Sequence, residues 1–374
     1  MVEATCWPGL HFMIGSWYRN HEINKRSGFF AASGIAATIF SGYIQAGIYT
    51  SMNGASGLAG WRWLFIIGSE DNSQLLQDHL VNKMISDFVI SLPLLVFGII
   101  FIPDPITSKD KSWWMTYREK ELAVERLALE KGAPVGKLDL PIFKRVLGRW
   151  RFWIMNITFS LYYFFYQAPT TSTMTLWLKT EETYSIPQIN NLPTVYSAIS
   201  IIYMIGSGIY NDYTQNRLPS LLLIDFCNIT AEAILVAWFV PKGVKYFAFW
   251  LAGTIQATTP IIVSWTNEVC SRDAEERAIV VASLNSIGAA QGAWWNQVFV
   301  KTTSAPRFKL GYRMGLGGAI AMTAWLPVVE YFDRRQKREA MEGVTREIEH
   351  NDGSRQGSVA GRDKTNVRTT SVES

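Results

Sequence analysis

The chain of 374 residues has little charge, cysteine or histidine. Charged residues make up 18% of it, below the ~25% of soluble domains, and a net charge of +4 does not indicate a nucleic-acid partner. The three cysteines, Cys6, Cys227 and Cys270, lie apart in or beside apolar runs, which argues against a disulfide framework. The four histidines lack metal-ligand spacing, so we expect no metal site and no cofactor. A membrane-bound enzyme would need a cluster of acid, base or metal ligands, which the sequence does not show.

Two long segments, residues 246–267 and 278–300, lack Asp, Glu, Lys and Arg altogether. Each is long enough to cross a hydrocarbon core of ~30 Å as a helix that rises ~1.5 Å per residue. The link between them, residues 268–277, is densely charged. The pair therefore predicts a hairpin of two membrane helices.

Both helices of this hairpin carry a polar stripe. Gln256, Thr259 and Asn267 fall on one face of the first helix, and Asn285 and Asn296 fall on one face of the second. Lipid offers no partner to polar groups, so such stripes should face protein or water. Two interpretations stay open, because the stripes either line a path for a solute or hold neighbouring helices together.

Further apolar runs extend the prediction to about nine membrane segments. The run between residues 61 and 102 is interrupted at 68–86 by four charged residues, each of which costs ~2.5–3.5 kcal/mol at the bilayer centre. We therefore interpret 68–86 as an insertion. The predicted segments are 4–18 (short for a complete crossing), 27–48, the interrupted run, 152–178, 190–210, 218–240, the two of the hairpin, and 314–329. Alternating the links between two sides collects most Lys and Arg on one side, which the positive-inside rule assigns to the cytosol.

Several charged residues are candidates for function. Glu232 lies deep in an apolar segment, so it is either a proton carrier or a carboxyl group that is paired with a polar neighbour on another helix or kept neutral. Other charges crowd at the ends of predicted helices and predict a network that locks helix ends and breaks during gating. These are Asp212, Arg217, Glu268, Arg272, Asp273, Glu276 and Arg277. Asp212 and Arg217 could also belong to a simple tight turn.

Four motifs resemble the major facilitator superfamily. They are Gly60-Trp-Arg-Trp, Gly148-Arg-Trp-Arg-Phe-Trp153, Gly208-x-x-x-Asp212 followed by Arg217, and Trp265-x-Asn-Glu-x-Cys-x-x-Asp-Ala-Glu-Glu-Arg-Ala278. More closely, they resemble the fungal anion:cation symporter branch, which includes allantoate, pantothenate and vitamin H permeases. The resemblance implies an all-α membrane protein with twelve helices in two halves around a central cavity that is open alternately to each side.

On that pattern the chain would run from the second half of helix 4 to helix 12 and lack the N-terminal part. Residues 1–102 would be the remnant of the N-terminal half with its insertion, 103–151 a cytosolic central loop, 152–335 the C-terminal six-helix half, and 336–374 a disordered cytosolic tail.

The resemblance also implies a function. A monomer in the plasma membrane, surrounded by the lipid bilayer, would import a small organic anion with a proton, namely a vitamin-like carboxylate such as pantothenate or biotin. The alternatives are an inactive truncated remnant, or a permease for allantoate or another carboxylate. The residues expected to bind the substrate are Tyr162, Tyr166, Gln167, Gln256, Thr259 and Asn267.

Overall fold

The computed structural model describes residues 2–55, 62–63, 116–128, 140–166, 169–181 and 183–369, and every regular element within them is a helix. The predicted fold class, an all-α membrane protein, is therefore confirmed. The chain forms two compact units, residues 1–325 and residues 326–374. The interrupted run with its suspected insertion at 68–86 lies outside the described residues, apart from Arg62 and Trp63.

The described α-helices are numbered here in chain order. They are α1 Val2–Trp17, α2 Ile23–Met52, α3 Tyr117–Ala128, α4 Leu140–Leu147, α5 Trp150–Tyr166, α6 Thr171–Thr180, α7 Ile186–Asn191, α8 Thr194–Thr214, α9 Leu218–Ala237, α10 Lys242–Leu251, α11 Thr258–Val269, α12 Ala274–Phe299 and α13 Lys309–Thr369.

Four helical stretches in the described part of the chain are long and apolar enough to cross a membrane. They overlap the segments predicted at 27–48, 190–210, 218–240 and 246–267. Their bounds in the structure are Ile23–Met52, Ile186–Thr214, Leu218–Ala237 and Lys242–Val269.

Proline interrupts one of the predicted segments and lies at a change of helix in another. The segment 152–178 is split into α5 and α6, because Pro169 has no N–H to continue a helical hydrogen-bond ladder. Thr170 then starts α6 by accepting a hydrogen bond from the Thr173 N–H. Near Pro193 the short α7 gives way to α8, but the helical stretch Ile186–Thr214 that contains the segment 190–210 is long and apolar enough to cross a membrane. The sequence analysis treated 152–178 as a single helix, so the structure corrects it there.

The first helix of the predicted hairpin also changes its backbone geometry midway. A 3-10 segment, Ala252–Ala257, joins α10 to α11. Gly253 lies so close to α8 that an added Cβ would stand 2.4 Å from the Tyr196 carbonyl oxygen, and Ser200 Oγ donates a hydrogen bond of 2.8 Å to the Gly253 carbonyl. Because 3-10 geometry is less favourable than α geometry, such stretches within a long helix often mark a hinge.

Small residues allow α2 and α8 to pack backbone against backbone. An added Cβ on Gly28 would lie 2.6 Å from the Met204 carbonyl oxygen, and one on Gly208 would lie 3.0 Å from the Asn24 carbonyl oxygen. Glycine removes the side chain that would otherwise hold the helix axes apart. The crossing therefore brings the beginning of α2 beside the end of α8, where Asp212 lies.

An aromatic core fills the space among α6, α9 and α10. Trp177 and Phe249 are fully buried, and their rings stack with centroids 5.4 Å apart. Tyr312, near the start of α13, belongs to the same core and stacks on Trp238 at 6.4 Å. Burial of such large rings stabilises the contact between these helices.

The last helix, α13, continues to Thr369, and disorder at 336–374 stays a prediction. No proline occurs in residues 328–369 to stop it. Within the second unit, ion pairs one turn apart also favour the helix, Arg334 with Glu330 at 2.6 Å and Lys337 with Asp333 at 3.0 Å.

Candidate functional site

Four of the six predicted substrate residues come together between α5 and the region around the 3-10 segment. The rings of Tyr162 and Tyr166 lie 5.2 Å apart, and Thr259 Oγ1 donates a hydrogen bond of 2.6 Å to Tyr162 OH. Gln256 Nε2 donates a hydrogen bond of 3.4 Å to the hydroxyl of Tyr196 on α8, a residue that the sequence analysis did not single out. We call Tyr162, Tyr166, Tyr196, Gln256 and Thr259 the tyrosine cluster.

The tyrosine cluster is polar at its centre and aromatic around it. Tyr162 is 1% exposed, whereas Tyr166, Gln256 and Thr259 keep part of their surface accessible. Tyr163 extends the aromatic wall, and it packs on α12 at Gly288, where an added Cβ would lie 2.7 Å from its ring. Hydroxyl and amide groups can both donate and accept hydrogen bonds, so the cluster can bind a carboxylate, an amide or a hydroxyl of a small polar solute.

The other two predicted substrate residues are placed differently. Asn267 lies about two turns beyond Thr259 on α11, is 1% exposed and contacts α1. Its Nδ2 donates a hydrogen bond of 3.4 Å to the His11 carbonyl, and an added Cβ on Gly15 would lie 2.5 Å from its Oδ1. Asn267 thus fits the interpretation of a polar residue that holds helices together, while Gln167 lies outside the described residues.

Asp212 caps the beginning of α2 from another helix. Its Oδ1 accepts hydrogen bonds from Asn24 N at 3.1 Å and Asn24 Nδ2 at 2.9 Å, and its Oδ2 accepts one from Lys25 N at 3.0 Å. Glu22, the N-cap residue of α2 itself, makes no capping hydrogen bond with its side chain. A carboxylate at this position satisfies N–H groups that have no partner within the helix and interacts favourably with the positive end of its dipole.

Asn24 also joins two further elements to this cap. Its Oδ1 accepts a hydrogen bond of 3.1 Å from Arg217 Nε and a second from Ser264 Oγ on α11. Arg217 pairs in addition with Glu268, and both side chains are largely buried. We call Asn24, Asp212, Arg217, Ser264 and Glu268 the Asn24 network. It connects the beginning of α2 with the end of α8 and the end of α11.

A second network connects the end of α4, the start of α5 and the link between them with the start of α12. The Glu276 side chain is 0% exposed, and its Oε2 accepts hydrogen bonds from Arg149 at 2.5 Å and Arg151 at 2.8 Å. Asp273 pairs with Arg149 at 2.9 Å and with Arg145 at 3.1 Å. We call these five residues the Glu276 network. Because a buried carboxylate without its partners is costly, Glu276 depends on both guanidinium groups.

Asp273 has a second role as the N-cap of α12. Its Oδ1 accepts a hydrogen bond of 3.1 Å from the Glu276 N–H. Partial burial opposes ionisation of Asp273, but this hydrogen bond and the charges of Arg145 and Arg149 outweigh it and lower the pKa of Asp273 below its usual value. Asp273 is therefore ionised at neutral pH and available to both arginines.

Arg277 and Arg272 lie outside these two networks. Arg277 is buried and ties α12 to α1, donating hydrogen bonds of 3.0 Å to the Gly15 carbonyl and 3.0 Å to Ser16 Oγ. Its guanidinium also lies 4.8 Å from the ring centroid of Phe12. Arg272 is exposed, and no carboxylate in the described part of the chain pairs with it. The predicted charge set is thus divided among four places, namely the two networks, the contact of Arg277 with α1 and the exposed position of Arg272.

Glu232 lies apart from the tyrosine cluster, between α9 and the start of α13. Its side chain is 0% exposed, and an added Cβ on Gly315 would lie 2.3 Å from its Oε1. Neither carboxyl oxygen has a hydrogen-bond partner among the described residues. Two turns earlier on α9, the buried Asp225 accepts a hydrogen bond of 3.3 Å from Thr323. The structure thus brings both carboxyl groups of α9 against the last helix.

Sequence reasoning missed several residues of the networks. Arg149 and Arg151 belong to the motif 148–153, whose two arginines flank a tryptophan, so a signal for them was present. Asn24 carries no comparable signal, since a single polar residue before an apolar run is common at the start of a helix.

Comparisons with known proteins find relatives that are all named as transporters. No protein-family model matches the chain. The MFS transporter PfmaC of Pestalotiopsis fici is 33% identical over 343 residues, which cover 91% of this chain and 61% of that protein. The pantothenate transporter liz1 of Schizosaccharomyces pombe is 32% identical, with 90% of this chain and 62% of that protein covered. The vitamin H transporter of Saccharomyces cerevisiae is 28% identical, with 90% and 54% covered.

The chain thus spans roughly three-fifths of the length of the first two of these relatives. Among solved structures, the E. coli fucose:proton symporter FucP is 13% identical, with 87% of this chain and 91% of that chain covered, and its TM-score of 0.41 does not by itself establish a common fold. The motifs, the all-helical architecture and the similarity over nine-tenths of the chain agree with one another. Over the part of those relatives that it spans, this chain is similar to fungal transporters of the major facilitator superfamily, among them a pantothenate transporter and a vitamin H transporter.

Proposed function

We propose that this protein imports a small organic anion together with a proton, by alternating access across the plasma membrane. The substrate is a vitamin-like carboxylate such as pantothenate or biotin. Two of the relatives are named as pantothenate and vitamin H transporters, which supports this class of substrate. The other partners of the protein are then the lipid bilayer and the proton that is transported with the substrate.

The observation that carries the proposal is the hydrogen bond between Thr259 and Tyr162. It joins α5 to α11 at the tyrosine cluster, beside the 3-10 segment. A carboxylate that accepts hydrogen bonds from both hydroxyls would replace this direct bond. Substrate binding would then change the contacts beside the 3-10 segment. The helix can bend there, because a 3-10 segment bends more readily than an α-helix.

The Asn24 network and the contacts of Arg277 supply a gate for alternating access. By the positive-inside rule we place the basic end of the molecule, with residues 145–151 and 268–277, in the cytosol. There the Asn24 network joins α2 to α8 and α11, and Arg277 joins α12 to α1. With these contacts formed the protein is closed at the cytosolic side, and opening requires that they separate. Asn267 contributes to the same closure through its contact with α1.

Glu232 is the proposed proton-coupling residue. A carboxyl group within a membrane-spanning helix and without a described hydrogen-bond partner is sensitive to its protonation state. Because Glu232 contacts α13 at Gly315, a change of charge would act on the packing of α9 against the last helix rather than on the substrate directly.

The test is uptake of radiolabelled pantothenate and biotin into proteoliposomes that contain the purified chain, with and without an inward proton gradient. We expect uptake that the gradient stimulates. Thr259→Ala and Tyr162→Phe should each raise the KM about tenfold, since each removes one hydrogen-bonding group worth about 1–2 kcal/mol in a buried site. Thr214→Ala, at an exposed position on α8, is the control.

Glu232→Gln separates transport from coupling. It should abolish stimulation by the proton gradient while exchange of labelled for unlabelled substrate continues. Uptake no greater than in empty vesicles would contradict the proposed function, and unchanged stimulation in Glu232→Gln would contradict the assignment of the proton site.

A further inference from the structure

A cleft of about 660 Å³ opens beside the Glu276 network. Four of its lining residues are arginines, two are carboxylates, and Trp150 forms part of the wall. The full lining is Arg145, Arg149, Trp150, Arg151, Arg272, Asp273, Ala274 and Glu275. We call it the arginine cleft. A volume of this size is typical of ligand sites, which span ~300–1,000 Å³.

The charge of the arginine cleft is only partly neutralised. Arg149 and Arg151 bind the buried Glu276, and Arg145 binds Asp273 and Glu275. Arg272 has no carboxylate partner among the described residues. Counting Glu276 with the lining, four guanidinium groups face three carboxylates, so the cleft retains an excess positive charge for an anion.

The geometry of the cleft suits phosphate groups in particular. Guanidinium groups bind phosphate oxygens in a bidentate manner, and here they come from two helix ends and two links. Two helices of more than eight residues also begin at the cleft, α5 at Trp150 and α12 at Ala274. At α12 the Asp273 side chain already accepts the Glu276 N–H, so the N–H donors and the positive dipole end that add to the arginine side chains come from the start of α5.

Apolar side chains around the cleft place it at the edge of the bilayer. Phe143 and Leu147 on α4 are 44% and 45% exposed, while the neighbouring Val146 is fully buried. Trp153 is 54% exposed, and its Nε1 donates a hydrogen bond of 2.8 Å to the Leu147 carbonyl. An amphipathic helix with an adjoining tryptophan is typical of the boundary between lipid and water.

From these observations we infer that the arginine cleft binds the phosphorylated headgroup of an anionic lipid of the cytosolic leaflet. The orientation rests on the proposed function, but binding does not require transport. Basic pockets on the cytosolic side of membrane proteins are suited to such headgroups. A bound phosphate would compete with Asp273 for Arg145, whose exposed ion pairs add little to stability and are easily exchanged. The lipid would then loosen the link between α4 and α12.

The experiment measures binding of a fluorescent phosphatidylinositol bisphosphate to the purified full chain in neutral detergent micelles, by anisotropy. Fluorescent phosphatidylcholine is the neutral comparison. The double variant Arg145→Gln/Arg272→Gln should weaken binding about 25-fold, because each basic residue near an anionic headgroup contributes about fivefold. Both side chains are exposed, so their replacement leaves the buried Glu276 contacts intact.

The matched control is Arg118→Gln/Arg335→Gln, which removes the same charge at two exposed positions that are not among the lining residues of the cleft. It should change the affinity less than twofold. Equal loss in both double variants, or no preference over phosphatidylcholine, would overturn the proposal. Soluble inositol trisphosphate that binds as tightly as the lipid would also overturn it, in favour of a site for free phosphates. All three outcomes are independent of uptake, so a failure here is distinguishable from a failure of the transport proposal.

Discussion

Gly28 on α2 lies so close to Met204 on α8 that a Cβ added to the glycine would stand 2.6 Å from the methionine carbonyl oxygen. That oxygen belongs to a helix backbone, so it cannot turn aside as the end of a long side chain can. The crossing of α2 and α8 therefore requires glycine at position 28. Because this crossing brings Asp212 to the start of α2, the packing of the two helices and the Asn24 network depend on one another.

Gly28→Ala should destabilise the protein by about 1–3 kcal/mol, the cost of forcing an extra methyl group into a packed contact. The measurement is thermal unfolding of the purified protein in detergent, followed by tryptophan fluorescence. Gly34→Ala on the same helix is the matched control, since an added Cβ there meets nothing within 4 Å. Equal melting temperatures for the two variants would show that α2 and α8 do not pack as described.

Asp212→Ala should cost about 1–3 kcal/mol, because it leaves the N–H groups of Asn24 and Lys25 without their acceptor at the start of α2. Asp212→Asn keeps one side-chain oxygen and should lose clearly less. Tyr213→Ala, at the neighbouring and 89% exposed position, serves as the control. Hydrogen exchange over the first turn of α2 reports the effect directly, and exchange that is unchanged in Asp212→Ala would exclude the capping role.

The contribution of Asp273 to stability should depend on pH. Its pKa in the folded protein lies below the usual 3.8, so the stabilisation is fully present above that value and is lost as the pH falls through the lower folded value. Compared with Asp273→Asn, the wild type should hold a constant advantage, about 1 kcal/mol or less, from pH 7 to about pH 5. The advantage should shrink below about pH 4. Melting curves of both proteins between pH 7 and pH 3 test this. If the stability advantage of the wild type over Asp273→Asn grew as the pH fell, the prediction would be contradicted.

Gly315 and Glu232 should be energetically coupled. Gly315→Ala places a methyl group 2.3 Å from Glu232 Oε1 and forces the carboxyl group to move within a fully buried space. Glu232→Ala removes the obstacle, so the double variant should be more stable than the sum of the single effects predicts, by about 0.5–3 kcal/mol. Gly317→Ala, which meets nothing within 4 Å, should show no such coupling with Glu232→Ala. If the stability effects of Gly315→Ala and Glu232→Ala simply add in the double variant, the two residues are not in contact.

Part of the candidate site was predictable from the sequence. Gln256 and Thr259 were singled out by the polar stripe of their helix, and Tyr162 and Tyr166 by the resemblance to the superfamily. The structure brings all four together. The same stripe included Asn267, which instead contacts α1. A helical stripe predicts which residues share a face, but not which neighbour each part of the face meets. Tyr196 entered the cluster only through the packing of α8 on the 3-10 segment.

The sequence by itself determined that this protein crosses a membrane with helices, because long apolar runs without charge leave no other arrangement that satisfies the backbone in lipid. It also determined that charges gather at the helix ends. Only the tertiary structure decided how they pair. Arg217 binds Asn24 across 193 positions of the chain and Glu268 across 51. An ion pair depends on the distance between two groups in space, and that distance is set by how the helices cross, at contacts such as Gly28 with Met204.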